Sequence, residues 1–324
     1  MDKVYFIVFV LVLVMVELLY FTLARRFQII DKPNERSLHE KPTIRGGGVI
    51  FPIALLLFFV TSGAVSYYFL IATLLLAFVG LADDIRGLSR SVRFGIQIVA
   101  MLLIFYDLNI LVHSWWIIIL LLIITTGTVN AYNFMDGING ITSGYSFVVL
   151  GSLYYINNNV IVFVSSDLLF TMMIALGVFS FFNFRTKAIC FAGDVGSLTI
   201  GFAMIYLILK LIMLSHNYVY VLLLAVYGAD SVLTIVHRLL LRQNIFKAHR
   251  LHLYQVVISV TGFRHLAMTF IYMAAQLIVS GAIIYNLNSS QQQQYLLGCG
   301  ILVLLGLIYV IIKRHYYKSL SNVL

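Results

Sequence analysis

The sequence predicts an all-α polytopic integral membrane protein, and three observations support this fold class. Of the 324 residues, 62% are hydrophobic and only 10% are charged, whereas soluble globular domains carry about 25% charged residues. The apolar residues fall in long runs, and short polar connections separate these runs. Because each backbone N–H and C=O group in a bilayer must be satisfied within its own segment, we expect these runs to be helices.

Eleven segments are predicted to span the membrane. A spanning helix needs about 20 apolar residues, and most of the runs approach that length. The predicted segments are residues 4–24, 48–60, 67–82, 94–105, 115–131, 141–156, 168–184, 197–214, 218–237, 266–285 and 295–312. Together they form a single membrane domain over residues 1–324.

The basic residues predict that the N-terminus lies outside and the C-terminus lies in the cytoplasm. All 21 Lys and Arg residues except Lys3 and Lys210 fall in segments that this orientation places inside, as the positive-inside rule requires. This distribution explains the net charge of +9 without a nucleic-acid partner. The cytoplasmic loops predicted to build the site are residues 25–47, 83–93, 130–140, 185–197 and 238–265.

Four residues inside or near the spans are candidates for packing, hydrogen bonding between helices or proton transfer. Cys190 and Cys299 match no metal spacing, so we expect them to pack as small apolar side chains. Glu17 and Asp230 lie at membrane depth. Such carboxylates either form hydrogen bonds between helices or relay protons.

Two adjacent carboxylates, Asp83 and Asp84, follow the third predicted span. Neighbouring carboxylates at a membrane helix end repel each other and are costly to desolvate. A nearby cation would relieve both problems. The alternative is a solvated helix end with Arg86 as the partner.

A polar series follows the fifth span. Asn130, Asn133, Asp136 and Asn139 recur every three residues, so neighbours in the series share a face where the segment is helical. Gly137, three residues before another glycine, allows a ligand to approach the backbone closely. The alternative is an Asn-rich turn at the membrane interface.

Asp194 lies between two glycines at the start of the eighth span. A carboxylate at a helix N-terminus is a candidate oxygen ligand for Mg²⁺, and the exposed N–H groups there are ready for phosphate. A Gly-Asp-x-Gly segment also occurs in ordinary turns.

A basic motif with His249, Arg250 and His252 lies in the 238–265 loop. A zinc site would need a third ligand nearby, whereas Arg with His suits phosphate oxygens. The alternative is a basic loop that rests on anionic headgroups.

These four clusters lie on one predicted face of the membrane. Carboxylate, amide and basic groups from separate loops indicate a Mg²⁺-dependent site for a phosphorylated soluble substrate. A second, lipid substrate would explain the depth in the membrane. A transporter or flippase for a phosphorylated solute remains the alternative, although it would require polar residues nearer the midplane or outer side.

At these clusters the sequence resembles the polyprenyl-phosphate N-acetylhexosamine-1-phosphate transferases, of the glycosyltransferase family 4 type. The lipid I-forming translocase is a relative. The likeness runs from the Asp-Lys-Pro-Asn-Glu-Arg-Ser-Leu-His segment at 31–39 to about Gln255. The form of the last motif is similar to the O-antigen and capsule subgroup, some members of which use 6-deoxy or otherwise modified sugars.

The resemblance implies a bacterial multi-pass inner-membrane enzyme of cell-envelope and lipopolysaccharide biosynthesis. Such an enzyme transfers an N-acetylhexosamine-1-phosphate from a UDP-sugar, UDP-GlcNAc or a modified one, to undecaprenyl phosphate and releases UMP. It uses Mg²⁺ or Mn²⁺. The oligomeric state is left open, with a homodimer as the candidate.

The resemblance also implies a role for each matched residue. Asp83, as the base on the lipid phosphate, is catalytic together with Asp84 and Asp136. Asn133 and Asp194 hold the metal. The substrate-binding residues are Asn130, Gly137, Asn139, Phe191, His249, Arg250 and His252. Many bacterial members have Asp at the position of Asn139, which weakens any catalytic role there.

Overall fold

The computed structural model describes residues 3–33, 41–245 and 249–320. The part of the matched motif at 34–39 and the loop residues 246–248 lie outside the described residues. Side chains of residues 317–320 also lie outside this description.

Helices account for most of the described chain, which confirms the all-α class. The helices are α1 (Lys3–Arg26), α2 (Ile50–Ser62), α3 (Tyr67–Arg86), α4 (Arg90–Asp107), α5 (Trp115–Met135), α6 (Ile141–Asn159), α7 (Ser166–Asn183), α8 (Gly193–Ser215), α9 (Ala225–Leu240), α10 (Leu253–Thr261), α11 (His265–Tyr285) and α12 (Gln291–Leu320). Short 3-10 helices at Gly47–Val49, Ile110–Val112 and Tyr218–Leu224 precede or follow them.

Every predicted span is largely helical, and eight helical segments are long and apolar enough to cross a membrane. The predicted spans at 48–60, 94–105 and 141–156 fall on α2, α4 and α6, which do not meet that length and hydropathy. The 13 residues of α2 cover roughly 20 Å at 1.5 Å per residue, against about 30 Å of hydrocarbon. The protein is therefore a multi-pass membrane protein, while the count of eleven spans and the orientation stay predictions.

One helix was not predicted. The loop at 238–265 contains α10, which has a mixed polar and apolar sequence and buries Tyr254, Val256 and Ile258. Gly262, at a φ of 67°, ends this helix. Nine residues are too few for a spanning prediction, so its apolar face was not recognised as a packing surface.

Helix α8 is the centre of the bundle. Every residue from Asp194 to Leu209 is buried, whereas the outer helix α12 leaves most of its apolar side chains exposed. Two glycines allow neighbours to approach α8 closely. A Cβ atom on Gly80 of α3 would lie 2.6 Å from the backbone of Val195, and one on Gly196 would lie 2.7 Å from the Cα of Gly48.

A small hairpin secures the first loop against the start of α8. Strand β1 (Ile30–Asp31) pairs antiparallel with β2 (Thr43–Ile44), and these are the only named strands in the described ranges. The Phe191 N–H group donates to the carbonyl of Ile44 at 2.8 Å, and the Gly47 N–H group donates to the carbonyl of Phe191 at 2.9 Å. The hairpin therefore places Arg45, one of the two residues between these contacts, beside the N-terminus of α8.

Candidate active site

The C-terminal end of α3 meets the N-terminus of α8. The carboxylate of Asp84 accepts hydrogen bonds from the N–H groups of Asp194 at 2.9 Å and Val195 at 3.1 Å. A carboxylate at this position satisfies two free helix donors and is stabilised by the helix dipole. The close approach at Gly80, one turn earlier on α3, permits this contact.

Arg45 joins two of the predicted site carboxylates. Its Nε atom lies 2.6 Å from Asp84 Oδ1, and its Nη2 atom lies 3.0 Å from Asp194 Oδ1. Burial opposes the charge of the guanidinium, but these carboxylates outweigh that effect and raise the pKa of Arg45. The side chain of Asp84 is completely buried under this pair.

The backbone around Arg45 is fixed by its neighbours. The hydroxyl of Tyr20 donates to the carbonyl of Arg45 at 2.6 Å, and the N–H group of Arg45 donates to the carbonyl of Ile29 at 3.1 Å. Gly46 has a φ of 84°, and a Cβ there would collide with the Tyr20 hydroxyl. Glycine is therefore needed directly after the arginine.

Arg93 joins a second pair of carboxylates. From the first turn of α4, its Nη1 atom lies 2.7 Å from Asp83 Oδ2 and 2.8 Å from Asp194 Oδ2. The other oxygen of Asp83 accepts the N–H group of Leu88 at 2.5 Å. Thus Asp83, Asp84 and Asp194 form one network with two guanidinium groups.

The predicted metal ligands lie together. The amide of Asn133 donates to Ser197 Oγ at 3.0 Å, and Ser197 lies three residues after Asp194 in the first turn of α8. Among the described residues, no group of three or more His, Cys, Asp or Glu side chains has the geometry of a metal site. Arg93 lies between the carboxylates instead, yet the converging oxygen donors are of the type that Mg²⁺ prefers.

Two amides of the polar series have structural partners. The amide nitrogen of Asn130 donates to Gln97 Oε1 and to the carbonyl of Thr126, both at 2.8 Å. Asn139 donates to the carbonyl of Arg185 at 2.7 Å and is buried. These contacts within the protein already use the amide donor groups of both residues. Their substrate-binding roles stay predictions.

The remaining predicted residues near the end of α5 line the same region. Burial raises the pKa of Asp136 to about 6. Gly137 packs so closely against the hydroxyl of Tyr254 that no side chain would fit. Phe191 is half-buried in the segment that binds the first loop.

The basic motif is anchored by a carboxylate from α9. His252 Nδ1 lies 3.4 Å from Asp230 Oδ1, and both side chains are 3% exposed. The same carboxylate accepts the Leu253 N–H group at 2.9 Å and the Tyr272 hydroxyl at 2.7 Å. Asp230 therefore fixes the N-terminus of α10 to α9 and α11.

The motif and the carboxylate network are connected through α5. Asn133 faces Ser197, whereas the next residue, Phe134, packs against the rings of His249 and His252 at centroid distances of 6.4 and 6.3 Å. The hydroxyl of Tyr254 donates to the carbonyl of Phe134 at 3.1 Å. The end of α5 therefore separates and aligns the two halves of the site.

His249 is neutral at physiological pH. Burial and neighbouring basic groups lower the pKa of His249 to about 3. Its Nδ1 accepts the N–H group of Leu251 at 3.2 Å, so the proton of the neutral ring lies on Nε2. His249 thus offers one hydrogen-bond donor, and the adjacent Arg250 offers a charged one.

Three residues of the site were not predicted: Arg45, Arg93 and Tyr20. In the sequence analysis, the two arginines served only to predict the orientation in the membrane. Their positions in loops that also carry the carboxylates could have suggested ion pairs, but no feature of the sequence indicated the specific partners. Asp230 was predicted to form interhelical hydrogen bonds or relay protons, and the structure shows the hydrogen bonds.

The fold and site define a multi-pass membrane enzyme whose charged groups cluster at the ends of its helices. Comparison with family models matches residues 66–212 to glycosyl transferase family 4. This match supports the resemblance found in the sequence.

Curated relatives extend the similarity beyond that region. The chain is 26% identical over 301 residues to a Bacillus subtilis protein named probable undecaprenyl-phosphate N-acetylglucosaminyl 1-phosphate transferase, and the match covers 86% of this chain and 83% of the relative. It is 29% identical to the Escherichia coli K12 undecaprenyl-phosphate alpha-N-acetylglucosaminyl 1-phosphate transferase, covering 58% of this chain and 56% of the relative.

An archaeal relative is also similar. A putative UDP-N-acetylglucosamine–dolichyl-phosphate N-acetylglucosaminephosphotransferase from Saccharolobus solfataricus is 30% identical over 192 residues, covering 53% of this chain and 58% of the relative. The chain therefore spans somewhat more than half the length of the E. coli and archaeal relatives.

Proposed function

We propose that the protein transfers an N-acetylhexosamine-1-phosphate from a UDP-sugar to undecaprenyl phosphate and releases UMP. The observation that carries this proposal is the network of Asp83, Asp84 and Asp194 with Arg45 and Arg93, at the joined ends of α3 and α8. The names of the relatives support the substrate classes. The product would begin a lipid-linked polysaccharide such as O-antigen or capsule at the bacterial inner membrane.

The reaction exchanges one phosphoanhydride bond for another. In a direct transfer, an oxygen of the lipid phosphate bonds to the β-phosphorus of the UDP-sugar, and the bond from that phosphorus to the bridging oxygen of UMP breaks. Asp83 accepts the proton of the lipid phosphate as its oxygen becomes the nucleophile. A covalent intermediate on a carboxylate is the second route that these residues allow.

The chain supplies charge and position for both substrates. Asp84 is fully occupied by Arg45 and two backbone N–H groups, so we assign it to positioning α8 against α3. Arg250, His249 and His252 bind the diphosphate, since charged and neutral N–H donors match phosphate oxygens. Gly137 and Phe191 enclose the uracil, whose flat ring needs a close backbone approach and an aromatic wall.

Asp194 and Asn133 would hold Mg²⁺ or Mn²⁺. The bound ion would neutralise charge on the diphosphate and its leaving group. Positioning and electrostatic stabilisation would supply most of the rate acceleration. Chelation with EDTA should stop turnover, and added Mg²⁺ or Mn²⁺ should restore it. Full activity after chelation would contradict a role for the ion.

Release of UMP tests the proposal. Purified full-length protein is incubated with undecaprenyl phosphate and one UDP-sugar at a time, from UDP-GlcNAc, UDP-GalNAc and 6-deoxy derivatives. We expect UMP only when the lipid phosphate is present, and the preferred substrate is the UDP-sugar from which UMP is released fastest. A transporter or flippase would instead move its solute or lipid across vesicles without forming UMP from any sugar nucleotide.

A further inference from the structure

A single nitrogen atom lies between two carboxylates of the site. Arg93 Nη1 is 2.7 Å from Asp83 Oδ2 and 2.8 Å from Asp194 Oδ2. The two carboxylates come from different helices, α3 and α8, and their oxygens converge on one positively charged point. Such convergence is what a small cation with oxygen ligands requires.

The two arginines of the network differ in how they are held. Arg45 has its backbone fixed by Tyr20 and Ile29, and its guanidinium reaches the fully buried Asp84. Arg93 comes from the first turn of α4 and reaches Asp83 and Asp194, whose side chains are 10% and 12% exposed. The two arginine side chains are exposed to a similar extent, 34% for Arg45 and 29% for Arg93. Attachment to the buried Asp84 therefore makes Arg45 a fixed part of the site, whereas Arg93 binds carboxylates nearer the surface and has space to move into solvent.

Electrostatic repulsion makes it unfavourable for the Arg93 guanidinium and a divalent cation to bind Asp194 Oδ2 at the same time. Three carboxylates face two guanidinium groups, so the network carries about one net negative charge. A divalent cation bound to Asp194 Oδ2 would compete for the same lone pairs that accept Arg93 Nη1. It would also lie a few ångströms from the guanidinium, where like charges repel strongly.

We propose that Arg93 holds the place of a divalent cation at Asp194 Oδ2, and that the Arg93 guanidinium withdraws as the cation binds Asp194. The identity of the ion rests on the proposed function. Arg93 then keeps the carboxylates neutralised before the metal arrives. The exchange also frees the Oδ2 oxygen of Asp83 from its arginine partner.

The first test measures binding of Mn²⁺ alone to full-length protein in detergent, from the electron paramagnetic resonance signal of free Mn²⁺. Arg93→Gln should bind Mn²⁺ roughly ten-fold more tightly than the wild type, because a competing charge within a few ångströms is removed. Arg90→Gln is the matched control. Arg90 starts the same helix and is exposed, so its removal should change the affinity by less than about two-fold in physiological salt.

Two results would overturn the proposal. Equal tightening in both variants would show a general effect of net charge. Unchanged or weaker binding by Arg93→Gln would show that Arg93 does not compete with the ion. Helical content and thermal unfolding of each variant confirm that the compared proteins are folded.

A second test needs no variant. Phenylglyoxal modifies accessible arginines, and mass spectrometry follows the rate at each site. Saturating Mn²⁺ should accelerate modification of Arg93 several-fold and leave the exposed Arg90 unchanged. If Mn²⁺ slows the reaction at Arg93 or does not affect it, the guanidinium does not leave. Neither test uses a sugar nucleotide, so failure to detect UMP release would refute the proposed function and not this exchange.

Discussion

Asp83 and Asp84 are adjacent in the chain but lie in different environments. Asp84 is completely buried and accepts two backbone N–H groups in addition to Arg45. The side chain of Asp83 is 10% exposed and binds Arg93. The structure thus favours Asp83 as the carboxylate that meets a substrate, and Asp84 as the one that holds two helices together.

The base assignment is tested by Asp83→Asn. The variant keeps the side-chain volume and loses the ability to accept a proton, so turnover should fall by about 10²–10⁴-fold, the usual scale for general acid–base catalysis. UDP-sugar binding, measured by calorimetry with Mg²⁺ present, should be largely retained. Arg250→Ala should do the reverse and weaken binding first. Equal loss of binding in both variants would place Asp83 in the nucleotide or metal site.

The pKa of His249 predicts a dependence of stability on pH. Its folded-state pKa of about 3 lies below the unfolded value of about 6.5. The unfolded state therefore binds more protons on acidification, and this contribution to stability is lost as the pH falls from about 6.5 toward 3. Between pH 7 and pH 5 the free energy of unfolding of His249→Gln should therefore fall less than that of the wild type. The difference between the two decreases should be up to about 2 kcal/mol.

Denaturant unfolding in detergent at both pH values measures this difference. The comparison of the variant with the wild type cancels the titration of other groups. A parallel loss of stability in the two proteins would show that His249 is protonated in the folded state.

At the scale of elements, the contact between α3 and α8 positions the carboxylates. Gly80→Ala would place a Cβ 2.6 Å from the Cα and N atoms of Val195, which forces the helices apart one turn before Asp84. We expect a loss of about 1–3 kcal/mol of stability, as for an overpacked core, together with reduced UMP release.

Gly127→Ala is the control for that substitution. Gly127 lies in α5, and a Cβ there would have no neighbour within 4 Å. Its replacement should be neutral or stabilising by about 1 kcal/mol or less. Similar thermal unfolding of the two variants would contradict the tight α3–α8 contact.

Asp230 joins three elements at the basic motif. Asp230→Asn should weaken UDP-sugar binding by roughly ten-fold. The substitution removes the charge that lies 3.4 Å from His252 Nδ1 and that accepts the Leu253 N–H group, and a hydrogen bond to a charged group is worth about 1.5–3 kcal/mol. Tyr272→Phe removes only the hydroxyl that donates to the same carboxylate, so its effect on binding should be smaller. Calorimetric titration of both variants measures the effect, and unchanged binding in Asp230→Asn would exclude positioning of His252 by this carboxylate.

At the scale of the whole molecule, the site lies at one end of the bundle. The ends of α3 and α5 and the starts of α4, α8 and α10 meet there, whereas α12 presents apolar side chains outward. A site at the end of the helices gives access to a soluble nucleotide. The surrounding apolar surface suits a lipid partner.

The basic residues predict the orientation of the bundle in the membrane. Reporter fusions after Arg45, Arg90, Arg185 and Arg250 should all report the cytoplasm, and a fusion within residues 291–294 should report the outside. A periplasmic signal from any of the first four fusions would separate the loops that the proposed function requires on one face.

The sequence by itself determined the helical membrane fold and the residues of the carboxylate site. Composition requires helices in lipid, and every predicted span is largely helical. Asp83, Asp84 and Asp194 were recognised because charged residues at helix ends between apolar runs are costly without a partner. The short helix α10 was missed because its nine residues bury only one face, which depends on neighbours distant in the chain.

Only the tertiary structure decided which groups pair. Arg45 and Asp194 are separated by 149 positions, and Arg93 and Asp194 by 101. In the folded chain, the Asn130 side chain donates to Gln97 and the Asn139 side chain donates to the Arg185 carbonyl. Their spacing in the sequence had indicated only a shared helix face. Local composition determines which segments leave water for the membrane. A hydrogen bond or close ion pair instead requires that the donor and acceptor atoms lie within about 3 Å of each other. Such distances are fixed by the packing of whole helices against one another.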